Sequence, residues 1–253
     1  MNQILVTEKL YITPELKRKK KIYKFYFILS VFIVLILTSF YIYAEYDRNK
    51  SAEVSQQLLD DMNKTLEGTT EDTTIAQDDV LLVVLNGTTE ETQQEEQQSS
   101  VTTANEKAEW KTSAAGYKYK IIATVEVPKI SLKYTVVQGQ SGSIEETESL
   151  LKSSPVKYHG YDPNEVGNFC IVGHNYRNSK FFSKVPNLTV GDTVKLTDLT
   201  NRTVNYEVYD KHTVDPSDTK DTTQLTGGRK ELTLITCTDD SKLRVIVRCK
   251  EVK

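Results

Sequence analysis

At 253 residues the chain is long enough for one domain or two, and its net charge of −3 says little about partners until it is divided by region. Its three cysteines, Cys170, Cys237 and Cys249, are too few for a disulfide scaffold and lack the spacing of a zinc site. No cofactor, metal or nucleic-acid partner is expected.

Charge is distributed unevenly. Residues 1–24 carry seven Lys/Arg against two Glu, 45–110 carry four against sixteen Asp/Glu, and 111–253 carry 21 against 17. Between the first two segments, residues 25–44 form a run of twenty uncharged residues with only Ser30, Thr38 and Ser39 clearly polar, enough to cross a hydrocarbon core of about 30 Å as a helix. The run Lys17–Lys21 and Lys24 precede it and Glu45 and Asp47 follow it. The basic side is expected to stay inside, which puts the C-terminal part outside in a single-pass membrane topology. Tyr23, Tyr26, Tyr41, Tyr43 and Tyr46 sit at its two ends as interfacial aromatics do. A cleaved signal peptide is the rival reading, but its apolar region is ordinarily shorter.

Residues 45–115 are rich in Glu, Gln, Thr and Ser and read as a mostly disordered spacer, because such a composition cannot bury enough apolar surface to offset its ordering entropy. Ala52–Leu66, a possible short amphipathic helix, and the apolar run Val80–Leu85 are local exceptions.

From residue 116 to 253 the pattern changes to short β-rich runs divided by turn residues. Tyr119–Val127, Leu132–Val137, Asn168–Val172, Thr193–Thr197, Thr203–Val214, Glu231–Thr236 and Leu243–Lys250 read as strands, enough to imply an all-β, closed or nearly closed sheet. Ser143 followed by Glu146 signals a capped helix through Leu151, and a short helical turn is expected over Ser179–Val185, before Pro186.

Two strand ends carry chemistry-bearing residues. His174, one of only three histidines with His159 and His212, follows Gly173 at the end of an apolar strand, where an isolated histidine is more often structural than functional. Cys237 stands where the strand Glu231–Thr236 stops, whereas Cys170 and Cys249 are embedded in strands and read as inert packing. A thiolate there needs a base or positive partner. Arg244, in the strand that follows, supplies a fixed charge suited to an oxyanion if that strand doubles back; Arg248 falls on the same face by period-two counting, but Arg244 is nearer the rim.

Gly173-His174, the pentad Thr233-Leu234-Ile235-Thr236-Cys237, and Arg244 in Leu243–Val247 resemble the sortases, membrane-anchored cysteine transpeptidases of Gram-positive bacteria. The resemblance covers about residues 117–253 and implies a closed β-barrel of about eight strands with short surface helices. It implies that Cys237 attacks the Thr carbonyl of a Leu-Pro-x-Thr-Gly sorting motif, that His174 moves the proton, and that Arg244 holds the oxyanion. Thr236 would contact substrate. The implied partners are surface proteins bearing that motif and an amine of a peptidoglycan precursor. Without an Asp-Pro-Trp/Phe lid motif, the chain is more similar to housekeeping or class D members than to pilus-assembling ones. The loop Asp215–Gly228 would wall the groove and set motif preference. Glu145, Glu146 and Glu148 resemble the calcium site of some members, although an exposed acidic helix face is the simpler reading. A related cysteine hydrolase and a non-enzymatic surface module are the alternatives.

Overall fold

The computed structural model describes residues 14–71, 104 and 108–252, in two compact units, Met1–Lys50 and Ser51–Lys253. Helix α1, Pro14–Glu71, begins in the first and ends in the second. In the first unit the large apolar side chains of the 25–44 run, Phe27, Phe32, Leu35 and Leu37 among them, are exposed. A helix apolar on all sides suits lipid rather than water, and this one is long and apolar enough to cross a membrane. Its Thr38 hydroxyl donates to the carbonyls of Val34 and Leu35, which satisfies the polar group without water.

In the second unit the described part of the expected spacer is ordered. Residues 51–71 are helical, and Leu58 and Met62, one turn apart, are buried against Val137, Leu150, Leu151 and Val156. Lys111 ties the same turn down through Asp61 at 2.6 Å. The amphipathic periodicity of Ala52–Leu66 outweighs the polar composition of its surroundings. Val80–Leu85 lies outside the described residues.

Among the described residues nine strands follow: β1 Lys111–Thr112, β2 Lys118–Val127, β3 Leu132–Gly139, β4 Val156–His159, β5 Gly167–Val172, β6 Thr193–Asp198, β7 Thr203–Val214, β8 Lys230–Cys237 and β9 Arg244–Glu251. They form one mixed sheet in the order β1-β2-β3-β4-β5-β8-β9-β7-β6, closed into a barrel by β2 pairing with β6. β5 and β8 run parallel, with Val172 opposite Ile235, whereas β8 and β9 form an antiparallel hairpin. Phe169, Ile171, Leu232, Leu234, Val245 and Val247 point into the main core. Their strand neighbours Cys170, Ile235 and Ile246, with Val172 and Val214 against them, form a separate small cluster on the outer face, as the two-residue period requires.

Helix α2, Ile144–Leu151, starts at the cap signalled in the sequence, with the Ser143 hydroxyl accepting from Glu146 N. Glu146 is not part of an exposed acidic face. It is 2 % exposed, and its carboxylate accepts from the backbone N–H groups of Gln140, Ser141 and Gly142. A carboxylate spent on three amide donors is a structural cap. Gly139 keeps room for it, since a Cβ there would collide with that carboxylate. The turn expected over Ser179–Val185 is a 3-10 helix at Phe182–Asn187 that contains Pro186, because so short a helix has few N–H bonds for a proline to break.

Candidate active site

Cys237 is the last residue of β8, two residues beyond Ile235, and therefore shares the outer face. It is half-buried, unlike Cys170 and Cys249, which are buried. Burial pushes the Cys170 thiol up to about 12 and raises that of Cys249 as well, so neither forms thiolate at neutral pH. A thiol-alkylating reagent is therefore expected to modify the native chain once, at Cys237, and three times in denaturant, as peptide mapping of the labelled protein would read out. Native labelling at Cys170 would contradict this assignment.

β5 delivers His174 to the same rim. The parallel pairing continues past Val172, with Gly173 N–H donating to Ile235 O at 3.0 Å. The Thr236 hydroxyl donates to Gly173 O at 2.9 Å, and Asn175 Nδ2 donates to Cys237 O at 2.9 Å and to Asp239 Oδ1 at 2.9 Å. Segments 173–175 and 235–237 are thus bonded side by side. The His174 ring lies 5.1 Å from that of Tyr176. Burial holds its pKa below the ordinary histidine value; Glu148 on α2 pulls it up and Lys152 pushes it down. A histidine that is mostly neutral at physiological pH suits proton transfer in both directions.

Arg244 opens β9 directly opposite Cys237, and side chains so paired stand about 5 Å apart at Cβ. Among the described residues its side chain makes one hydrogen bond, a long 3.5 Å contact to Leu243 O, and no ion pair. The hairpin between the two strands is closed by Thr238 N–H donating to Leu243 O and Ser241 N–H to Thr238 O. Arg248, the other candidate on this face, is committed elsewhere: it pairs with Glu231 at 2.8 Å. Position and partnering both favour Arg244.

Thr236, expected to contact substrate, is placed differently. It is 1 % exposed, and its hydroxyl is spent on Gly173 O, so it positions the His174 segment from behind. Asn175 was not among the residues singled out, although its amide next to His174 at a strand end was the available signal. Among the described residues no group of three or more His, Cys, Asp or Glu side chains is placed to hold a metal ion. Two surface clefts, of about 560 Å³ beside Gln138, Tyr158 and His159 and about 540 Å³ beside Val166 and Leu225, include none of the three rim residues. Cys237, His174 and Arg244 stand partly buried at neighbouring strand ends.

A family model for the sortase domain matches residues 125–252. Among solved structures, the fold is shared with a Clostridium perfringens sortase D5 transpeptidase, 24 % identical over 80 % of this chain and 100 % of that one, with a TM-score of 0.51. Sortase A from Corynebacterium diphtheriae is 20 % identical over 83 % of this chain and 95 % of that one, TM-score 0.48. Sortase C-1 from Actinomyces oris is 19 % identical over 64 % and 99 %, TM-score 0.47. No curated protein sequence matches the chain.

Proposed function

Because the chain belongs to the sortase family of cysteine transpeptidases, we propose that it cleaves surface proteins at a Leu-Pro-x-Thr-Gly motif and joins them through Cys237 to an amine of a peptidoglycan precursor. The observation that carries this reading is the pairing of Cys237 with Arg244 across the hairpin, with the His174 segment bonded to the Cys237 carbonyl. The motif's Leu would lie along the outer face at the half-buried Val172, which packs on the buried Ile235 and Ile246. Neutral His174 takes the Cys237 thiol proton as the sulfur adds to the Thr carbonyl carbon, and the guanidinium of Arg244 takes the developing oxyanion. The C–N bond then breaks as His174 gives its proton to the departing glycine amine, leaving a thioester on Cys237. An incoming amine, deprotonated by His174, displaces the thiolate and forms the new amide.

The 25–44 helix and the basic run before it support a single-pass anchor with the catalytic unit outside the cytoplasmic membrane. The full chain in detergent micelles, given a peptide library and a graded series of amines, is expected to cleave sorting-motif peptides and to divert acid product to amide as amine concentration rises. An acid product indifferent to every amine would instead establish the hydrolase reading.

A further inference from the structure

Segment 215–229, between β7 and β8, is fastened to the outer face at two places. The first is β5. Gln224 uses its side-chain amide as a neighbouring strand would use a peptide group, accepting from Asn168 N at 3.0 Å and donating to Asn168 O at 2.9 Å. Asn168 Nδ2 in turn donates to Asp221 O at 2.8 Å. These bonds join groups that carry no charge and do not titrate near neutrality.

The second fastening is ionic. His212 on β7 lies with Nδ1 3.0 Å from Asp210 Oδ2 and Nε2 3.0 Å from Asp221 Oδ2. Asp210 is on the same strand, whereas Asp221 belongs to the segment. A neutral imidazole owns one N–H and leaves its other nitrogen lone pair facing a carboxylate oxygen; only the imidazolium donates to both. From β9, Arg248 approaches the other Asp221 oxygen at 3.8 Å, but its firmer partner is Glu231 on β8. Glu231 also receives Arg229 and the Tyr209 hydroxyl. Partial burial of the His212 ring opposes its charge, yet the Asp221 hydrogen bond and the charges of Asp221 and Asp210 outweigh burial and raise its pKa above the ordinary value. With the folded pKa raised, the stabilisation is fully present below the unfolded value and is lost as pH rises through the folded one.

We propose that the His212 imidazolium is a positioning group for the peptide groove: it draws segment 215–229 onto the outer face, and its deprotonation weakens peptide binding while Cys237, His174 and Arg244 keep their arrangement. The inference rests on the reading of that face as the sorting-motif groove. His212 lies on the same face as the apolar floor, with Ile246 as its cross-strand partner, so the segment it fastens borders the floor on which the motif rests. The Asn168 and Gln224 bonds persist when His212 is neutral, so the segment loosens without unfolding and the effect falls on KM.

The test uses the full chain in detergent micelles, as wild type and as His212→Gln, His212→Lys and Asp210→Asn. Peptide cleavage is followed from about pH 6 to about pH 9, spanning a raised histidine pKa. Wild-type KM is expected to rise several-fold across this range, while His212→Gln shows a high, flat KM and His212→Lys a low, flat one. Asp210→Asn, with one supporting charge removed, moves the rise to lower pH. Amide hydrogen exchange over 215–229, compared between wild type and His212→Gln at each pH, is expected to show weaker protection in the variant at low pH and convergence at high pH. KM values that track each other in wild type and His212→Gln at every pH would overturn the proposal. So would equal protection in the two proteins, which is read without substrate and therefore stands even for a chain that cleaves nothing. Absence of cleavage with the protection difference intact would count against the transpeptidase reading instead.

Discussion

Replacing Cys237 by Ala is expected to abolish both peptide cleavage and amide formation, a loss of about 10⁶-fold, of the size that removal of a catalytic nucleophile produces, or to the detection limit. In the proposed mechanism the thioester forms on Cys237. Cys170 lies on the same outer face one strand away, but its thiol is buried and pushed up to about 12, so it cannot substitute. Stability is expected to change by no more than about 0.5 kcal/mol, because the site is half-buried at a strand end and the substitution leaves no buried polar group unpaired. Single-turnover cleavage assays with thermal unfolding of the same preparation separate the two effects. Activity that survives in the folded variant would remove Cys237 from the mechanism.

Arg244→Ala is expected to lower kcat by about 10²–10³-fold, as does loss of one oxyanion donor elsewhere, with a smaller effect on KM. Arg244→Lys should recover part of that loss, because an ammonium supplies charge without the planar fork. The paired control is Arg248→Ala. Arg248 is bonded to Glu231, which is 2 % exposed, so its removal leaves that carboxylate with Arg229 and the Tyr209 hydroxyl alone and costs about 1.5–3 kcal/mol of stability. A low kcat with unchanged Tm in the Arg244 variant, against a lowered Tm in the Arg248 variant, would distinguish catalysis from scaffolding. The opposite pattern would exchange their roles.

Much of this was legible in the chain. Seven strands were identifiable because each is long enough to show β-branched or aromatic content between turn residues, and Thr203–Val214 was found end to end. Val156–His159 was not, since four residues containing Lys157 and His159 and following a proline give no periodicity to read. The Cys237 and Arg244 pairing followed from a short hairpin, a local relation. His174 was placed by a resemblance, because a parallel partner set 63 residues away leaves no local trace of its register. Thr236 shows a related limit: alternation turns it away from the face that Cys237 occupies, and that parity could be counted, but its hydroxyl's acceptor, Gly173 O just past β5, could not. Glu146 looked like one of three exposed acids until the turn at Gln140–Gly142 folded back over it.

The parallel contact between β5 and β8 also sets the order in which the molecule can be built. A growing chain presents β5 well before β8 exists, and β6 and β7 must be made in between. Until then, one side of Gly167–Val172 carries peptide groups with no partner, an open edge able to pair with the wrong strand. Non-local pairing of this kind closes slowly. A chain released before Cys237 therefore has the strand that leads to His174 but not the strand that covers that edge, and is prone to aggregation.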